Sequence, residues 1–329
     1  MTYVLVFLAS GIVVVLAGIA LARHADAIAG ATRIGRLWVG SVLLAGATSL
    51  PELTTDVFAV RLGATDLAVG DLFGSSMANM LILAIIDLLP PRGRVLREAA
   101  FDHALAASLA IALNTVAAVL VVLRPETSLW GVGPGSVVLF IGYLAGTRSV
   151  YRHAARERPR TSVAPAERPR TALRPALIGF GGAAVAVFAA APAFAWSAKG
   201  IAEISGLGNT FVGTWLVGLA TSLPELVASI AAIRMGAFDL AVGNLFGSNA
   251  LNMAIFLALD LAQPGNLFAT IDPNHALSAL AAVILMSVGL AAIVYRARRR
   301  FAMLEPDSLL ILAAYVAAIW MLYLRAVAH

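Results

Sequence analysis

Thr48–Ile82 reads TSLPELTTDVFAVRLGATDLAVGDLFGSSMANMLI, and Thr221–Ile255, 173 residues later, reads TSLPELVASIAAIRMGAFDLAVGNLFGSNALNMAI. Twenty-two of the 35 positions are identical with no gap. Shared hydrophobicity would preserve only the apolar positions. Here the proline, the glutamate, the glycines and a set of serines and asparagines are preserved as well. The chain is an internal duplication, and outside this window the similarity fades.

The material around the repeat is apolar. Of 329 residues 60% are hydrophobic and 12% charged, whereas soluble domains carry roughly a quarter charged residues. That is room for roughly ten spans of about 20 residues each. The fold class read from this is an all-α polytopic membrane protein of about ten transmembrane helices. The apolar runs fall at about 2–22, 35–61, 66–89, 101–123, 130–150, 174–197, 207–234, 238–262, 275–295 and 306–325. The first has no basic segment before it and is read as a retained span, not a cleaved signal peptide.

Twenty-two of the 23 basic residues are arginine, and they lie between apolar runs, without the basic patch and aromatics of a nucleic-acid binder. Assigned to alternate connections, 19 fall on one side, and four (Arg61, Arg124, Lys199 and Arg325) on the other. The positive-inside rule places the 19 in the cytoplasm and both termini outside. The expected location is a prokaryotic plasma membrane. Eight of the 19 lie between Arg148 and Arg174. The Arg- and Pro-rich stretch 151–174 is read as a solvated cytoplasmic linker, with lipid binding or regulation as the other reading. It divides the chain into 1–150, with repeat 1 at about 39–82, and 175–329, with repeat 2 at about 212–255.

Each half holds five spans. An odd number means that the second half enters the membrane from the opposite side, so the repeats are inverted. Inverted repeats with broken helices are the architecture of secondary transporters, with the ion site where the repeats meet. Pro51 and Pro224 each sit inside an apolar run, where proline removes a backbone donor and frees carbonyls. Irregular backbone at membrane depth lines a cavity or is buried in protein. Thr48, Ser49, Thr221 and Ser222 stand at these breaks and offer oxygen ligands. Glu52 and Glu225 follow. S-x-x-E is also a capping box, but an acid inside an apolar span is a functional candidate first. One glutamate from each repeat could neutralise a divalent cation.

Gly70, Gly74, Gly243 and Gly247 suit close helix approach. Ser75 with Asn79, and Ser248 with Asn252, are spaced four apart and share a helix face; they suit ion ligation or helix–helix hydrogen bonding. There is no cysteine, which excludes thiolate sites. His24, His103, His153, His275 and His329 lie in loops or at helix ends, so a cation here is expected to be held by oxygen, which favours hard ions.

These two motifs resemble the α-repeats of the cation/calcium exchanger superfamily, the sodium/calcium exchangers and their prokaryotic relatives. The likeness covers about 70 residues, and the ten-span layout agrees with it. It implies antiport of Ca2+ against Na+ or H+ by alternating access, with no prosthetic group and one chain sufficient for function. It implies that Glu52 and Glu225 are the principal Ca2+ ligands, aided by Thr48 and Thr221. Ser49, Ser75, Asn79, Ser222, Ser248 and Asn252 would serve Na+ sites or the site centre. Repeat 1 departs from the pattern: Asp71 stands opposite Asn244, Ser76 opposite Asn249, and Asp56 opposite Ser229. Asp56 and Asp71 could add charge to the site, bind a proton, pair with each other or line an access path. H+-coupled exchange of another divalent cation therefore stays open.

The remaining acids are also repeated. Asp66 and Asp239 are read as helix caps. Asp87 and Asp260 are read as helix-end residues solvated at the interface, and Arg61 and Arg234 as interfacial residues that snorkel to water. A cation channel is a rival, although channels normally assemble a pore from several subunits. An enzyme is the weaker rival, since H-E-x-x-H, G-x-S-x-G and a cysteine nucleophile are all missing.

Overall fold

A computed structural model describes residues 2–32, 35–89, 95, 102–128, 131–156, 173–204, 221–295 and 306–327. Its regular elements are all helices: α1 (Thr2–Thr32), α2 (Arg36–Thr48), α3 (Leu50–Arg61), α4 (Thr65–Leu88), α5 (Asp102–Leu123), α6 (Pro134–Arg156), α7 (Leu173–Ile204), α8 (Leu223–Arg234), α9 (Phe238–Ala262), α10 (Leu267–Thr270), α11 (His275–Tyr295) and α12 (Pro306–Val327). Six of them (α1, α4, α5, α7, α9 and α11) contain a stretch long and apolar enough to cross a membrane. With α2 and α3 as one broken span and α8 as the described end of its twin, the elements account for the ten expected spans. Most of the linker 151–174, residues 207–220, and Arg33, Arg92, Arg94, Arg97, Arg296, Arg298, Arg299 and Arg300 lie outside the described residues.

The same offset that aligns the motifs carries α3 onto α8 end for end. Twin helices pack on each other and run antiparallel. Along α1 and α7, Tyr3 meets Trp196 and Phe7 stacks on Phe194 at 4.5 Å between ring centroids, while further along His24 reaches Gly179. Along α4 and α9, Asn79 and Ser76 bond to Asn249, and the earlier Leu72 bonds to the later Asn252. Ser76 and Asn249 are equivalent residues in contact, so the pseudo-twofold axis passes between them. Two antiparallel copies about such an axis are an inverted repeat.

The likeness of the halves reaches further than the motifs. α5 reads His103-Ala104-Leu105 from its second residue and α11 opens His275-Ala276-Leu277. Over these helices the offset is 172, and the buried and exposed positions coincide along most of their length.

Glycine sets the closest crossing. A Cβ on Gly40 would stand 2.6 Å from the Leu240 carbonyl oxygen, and one on Gly243 2.9 Å from that of Leu37. A Cβ on Gly247 would strike the Ser41 backbone. α2 thus lies against α9, and its stretch Val39–Leu44 is π-helical at the crossing, a local rewinding common at functional sites. Gly74, the twin of Gly247, has nothing within 4 Å of its Cβ direction, so the expected close approach holds at Gly243 and Gly247 and not there.

Two further expectations are corrected. α4 and α9 are capped by Ala64 and Ala237 without a side-chain cap bond. Asp66 instead accepts from the Asp272 N–H at 2.8 Å and lies 3.1 Å from His275 Nε2, and Asp239 lies 2.9 Å from the buried His103 Nε2. These acids join helix starts of opposite halves. Asp87 and Asp260 are buried, not solvated at an interface. Asp260 accepts from Gly133 N (2.6 Å), Leu267 N (2.7 Å) and Ser136 Oγ, and Asp87 accepts from Ser308 Oγ at 2.6 Å. Each ties the end of its long helix to the start of α6 or α12. Arg61 and Arg234 are exposed, as expected.

Candidate functional site

The site begins at the break between α2 and α3. Ser49 has φ −89° and ψ 5°, and Ser222, before α8, has φ −82° and ψ 3°. Bonds from Ser49 N to Ala45 O (2.9 Å) and from Leu53 N to Ser49 O (3.1 Å) continue the helical path. The break is thus a kink of one residue, fixed by Pro51, which has no N–H to return to the preceding turn. Glu52 and Glu225 follow in the first turn of α3 and α8, both fully buried. Neither serine makes a side-chain cap bond, so the capping box does not form. Ser49 Oγ instead donates to Glu225 Oε1 at 3.2 Å, from one repeat to the other.

The threonines cross the same boundary. Thr48 Oγ1 lies 3.3 Å from Asn244 Oδ1, and Thr221 Oγ1 lies 3.3 Å from Asp71 Oδ1. These contacts are twins, because Thr48 aligns with Thr221 and Asp71 with Asn244. Behind them Asn244 Nδ2 donates to Ser229 Oγ at 3.3 Å. In repeat 1 the equivalent positions are both acids, and Asp56 and Asp71 stand within hydrogen-bonding reach of each other. A neutral pair in one repeat is therefore a carboxyl pair in the other.

α4 and α9 carry the second part of each motif. Asn79 Nδ2 donates to Asn249 Oδ1 at 2.8 Å, and Asn252 Nδ2 to Leu72 O at 3.4 Å. With the nitrogens committed, the amide oxygens are left over. Among the described residues twelve buried side-chain polar atoms have no partner. Nine belong to residues singled out from the sequence: Glu52, Asp56, Asp71, Ser75, Asn79, Ser222, Glu225, Ser248 and Asn252. The other three candidates, Thr48, Ser49 and Thr221, face polar atoms of the other repeat, Thr48 while its hydroxyl also has Leu44 O at 3.0 Å on its own helix. All twelve candidates are therefore buried, and each either faces the other repeat or carries an unpartnered oxygen.

A buried polar atom without a partner costs about 1–3 kcal/mol, so nine on the two repeated motifs call for a partner from outside the chain. Every one of the nine is oxygen. A hard cation suits this set, since Ca2+ takes six to eight oxygen ligands from carboxylates, amides and water. Among the described residues no three His, Cys, Asp or Glu side chains converge to hold an ion by themselves. A cation bound here would have to take hydroxyl and amide oxygens along with any carboxylates.

The sequence did not single out Asn114 of α5, whose Nδ2 reaches Asn249 O at 3.3 Å. Its only signal was an amide in an apolar run.

The model of one protein family, the sodium/calcium exchanger protein, matches residues 2–147 and 175–324. The chain belongs to the sodium/calcium exchanger family. As a member of a family of ion exchangers it is an integral membrane antiporter and not an enzyme. Its relatives include the inner membrane protein YrbG of Escherichia coli, 29% identical over 79% of this chain and 78% of that one. The putative antiporter CaxA of Alkalimonas amylolytica is 27% identical over 81% of this chain and 83% of its own. The sodium/calcium exchanger MaX1 of Methanosarcina acetivorans is 47% identical over 58 residues, 18% of this chain and 17% of its own. Among solved structures, the sodium-calcium exchanger NCX_Mj soaked with Na+ and Sr2+ superposes with a TM-score of 0.71 at 22% identity, covering 96% of this chain and 97% of that one. That likeness is one of fold.

Proposed function

We propose that this member of the family exchanges Ca2+ for Na+ across a prokaryotic inner membrane, one ion class at a time, through the chamber between its repeats. What supports the reading is the contact of Ser49 with Glu225 from one repeat to the other, together with the buried, unpartnered oxygens that both motifs carry. Glu52 and Glu225 supply the charge that a divalent ion needs. Thr48, Thr221 and Ser49 brace the glutamates and their neighbours across the boundary. Ser75, Asn79, Ser222, Ser248 and Asn252 supply neutral oxygens that a divalent or a monovalent cation can use in turn. Both halves of the chamber come from one chain, so a monomer suffices. Lipid is its surroundings, and the arginine count places both termini outside and the 151–174 linker in the cytoplasm.

The test is 45Ca2+ uptake into proteoliposomes under separate Na+ and H+ gradients. Uptake driven by an outward Na+ gradient and abolished by Glu52→Gln or Glu225→Gln is expected. Ca2+ flux that ignores both gradients and follows voltage alone would make the protein a channel. Uptake at the normal rate in either glutamine variant would refute the site.

The Asp56–Asp71 contact supports a second reading, in which H+ is a counter-ion. Two carboxyls held in contact repel each other when both are charged, which makes the pair a candidate carrier of a proton. In that case an H+ gradient drives uptake in the absence of Na+.

A further inference from the structure

Three buried asparagines have an amide oxygen without a partner: Asn79, Asn252 and Asn114. In each the nitrogen is committed to an acceptor: Asn79 to Asn249 Oδ1, Asn252 to Leu72 O, and Asn114 to Ala110 O at 2.9 Å and Asn249 O at 3.3 Å. Those acceptors fix which way each amide faces. A nitrogen held against carbonyl oxygens cannot be exchanged for the amide's own oxygen, which would then face another oxygen. The first two asparagines belong to the repeated motifs and to the cation site proposed above. The third lies on α5, outside both repeated motifs, and no repetition marks it.

Its surroundings tie it to the same place. Asn114 bonds to the backbone of Asn249, whose side chain bonds to Asn79 and to Ser76 O on the pseudo-twofold axis. One hydrogen bond therefore separates Asn114 from the residues where the two halves cross. Packing does not explain an amide there. By the 172-residue offset its equivalent on α11 is Met286, equally buried, so the fold accepts an apolar side chain of similar size at this position. The asymmetry has the same sense as Asp56 against Ser229 and Asp71 against Asn244: the more polar or acidic residue lies in the first half.

We infer that Asn114 is a further cation-binding residue, offering its Oδ1 as a neutral oxygen to the hard cation that crosses between the repeats. The inference rests on the reading of Glu52 and Glu225 as the charged ligands of that ion. A neutral oxygen adds no charge, so its contribution is to affinity and to the choice between ions of different ligand demand, not to the coupling itself.

The experiment is equilibrium 45Ca2+ binding to the purified full chain in detergent, with Na+ as competitor, for three variants. Asn114→Met installs the residue of the twin position and removes the oxygen. Asn114→Ser keeps a hydroxyl that can donate to Ala110 O as the amide does and still offer a lone pair. Glu52→Gln controls for the underlying reading. Asn114→Met is expected to elute as a single peak like the parent and to bind Ca2+ about tenfold more weakly, the size of effect that supporting groups have at metal sites. Asn114→Ser is expected to recover most of that loss. Affinity unchanged in Asn114→Met overturns the inference. So does equal loss in the Met and Ser variants, which would mark the amide as a packing group. Ca2+ binding that survives in Glu52→Gln instead overturns the chamber itself, whatever Asn114 does.

Discussion

Glu52 and Glu225 were legible because a charge in an apolar run is expensive and one repeated at the same place is not an accident. Their partners were not legible. Ser49 could serve the first turn of its own helix, as S-x-x-E suggests, or reach another chain segment; the structure gives it Glu225, 176 residues away. Asp66 and Asp239 failed as caps for the same reason, since a histidine from the opposite half competes for each. Local chemistry offers an option, and a distant residue decides it. The Asp56–Asp71 pair is the residue-scale feature with the most direct consequence. Asp71→Asn and Asp56→Ser each install the residue of the other repeat, whose own pair is bonded and buried, so both variants are expected to fold. If the pair takes up a coupled proton, each loses most of its H+-driven 45Ca2+ uptake while Na+-driven uptake stays within about threefold of the parent, under 1 kcal/mol. Equal loss under both gradients would assign the acids to Ca2+ itself.

At the scale of elements, repetition placed the break between α2 and α3 and the start of α8 correctly, and it understated its own reach. α5 and α11 escaped notice because their kinship lies in the alternation of buried and exposed positions and in a three-residue opening, shifted by one residue from the offset of the motifs. The glycines show how far equivalence goes. Gly247 is pressed against the Ser41 backbone where α2 crosses α9, while Gly74 faces open space. Gly247→Ala must push two backbones apart, and overpacking of this kind costs about 1–3 kcal/mol. It is expected to lower the thermal midpoint of the detergent-solubilised protein, and Gly74→Ala to leave it unchanged; equal midpoints would mean that the crossing is looser than drawn. Asp260 is the second test at this scale. Removing its carboxylate strands Gly133 N and Leu267 N, while Ser136 Oγ keeps the Gly133 carbonyl as an acceptor, and hydrogen bonds to a charged group are worth about 1.5–3 kcal/mol each. Asp260→Ala should therefore unfold at lower temperature than Gly247→Ala does. A midpoint equal to the parent's would show that those donors find water.

For the whole molecule, the unequal split of basic residues and the inversion of the repeats make one joint claim, and twin positions can test its two parts separately. Leu62 and Met235 are equivalent, exposed, and lie just past the ends of α3 and α8. Two halves related by an axis in the membrane plane put such a pair on opposite faces, whichever way the protein is oriented. The arginine count then predicts the direction: Arg61 is among the four basic residues on the sparse side and Arg234 among the 19 on the rich side, so Leu62 is expected outside and Met235 in the cytoplasm. The chain has no cysteine, so Leu62→Cys and Met235→Cys each introduce a single thiol into an otherwise unreactive background. A membrane-impermeant maleimide applied to intact cells is expected to label Leu62→Cys and to reach Met235→Cys only after the membrane is opened. The reverse pattern would keep the inversion and turn the protein over. Labelling of both from the same side would end the inverted repeat, and with it the chamber, because Glu52 and Glu225 could then not meet across an axis in the membrane plane.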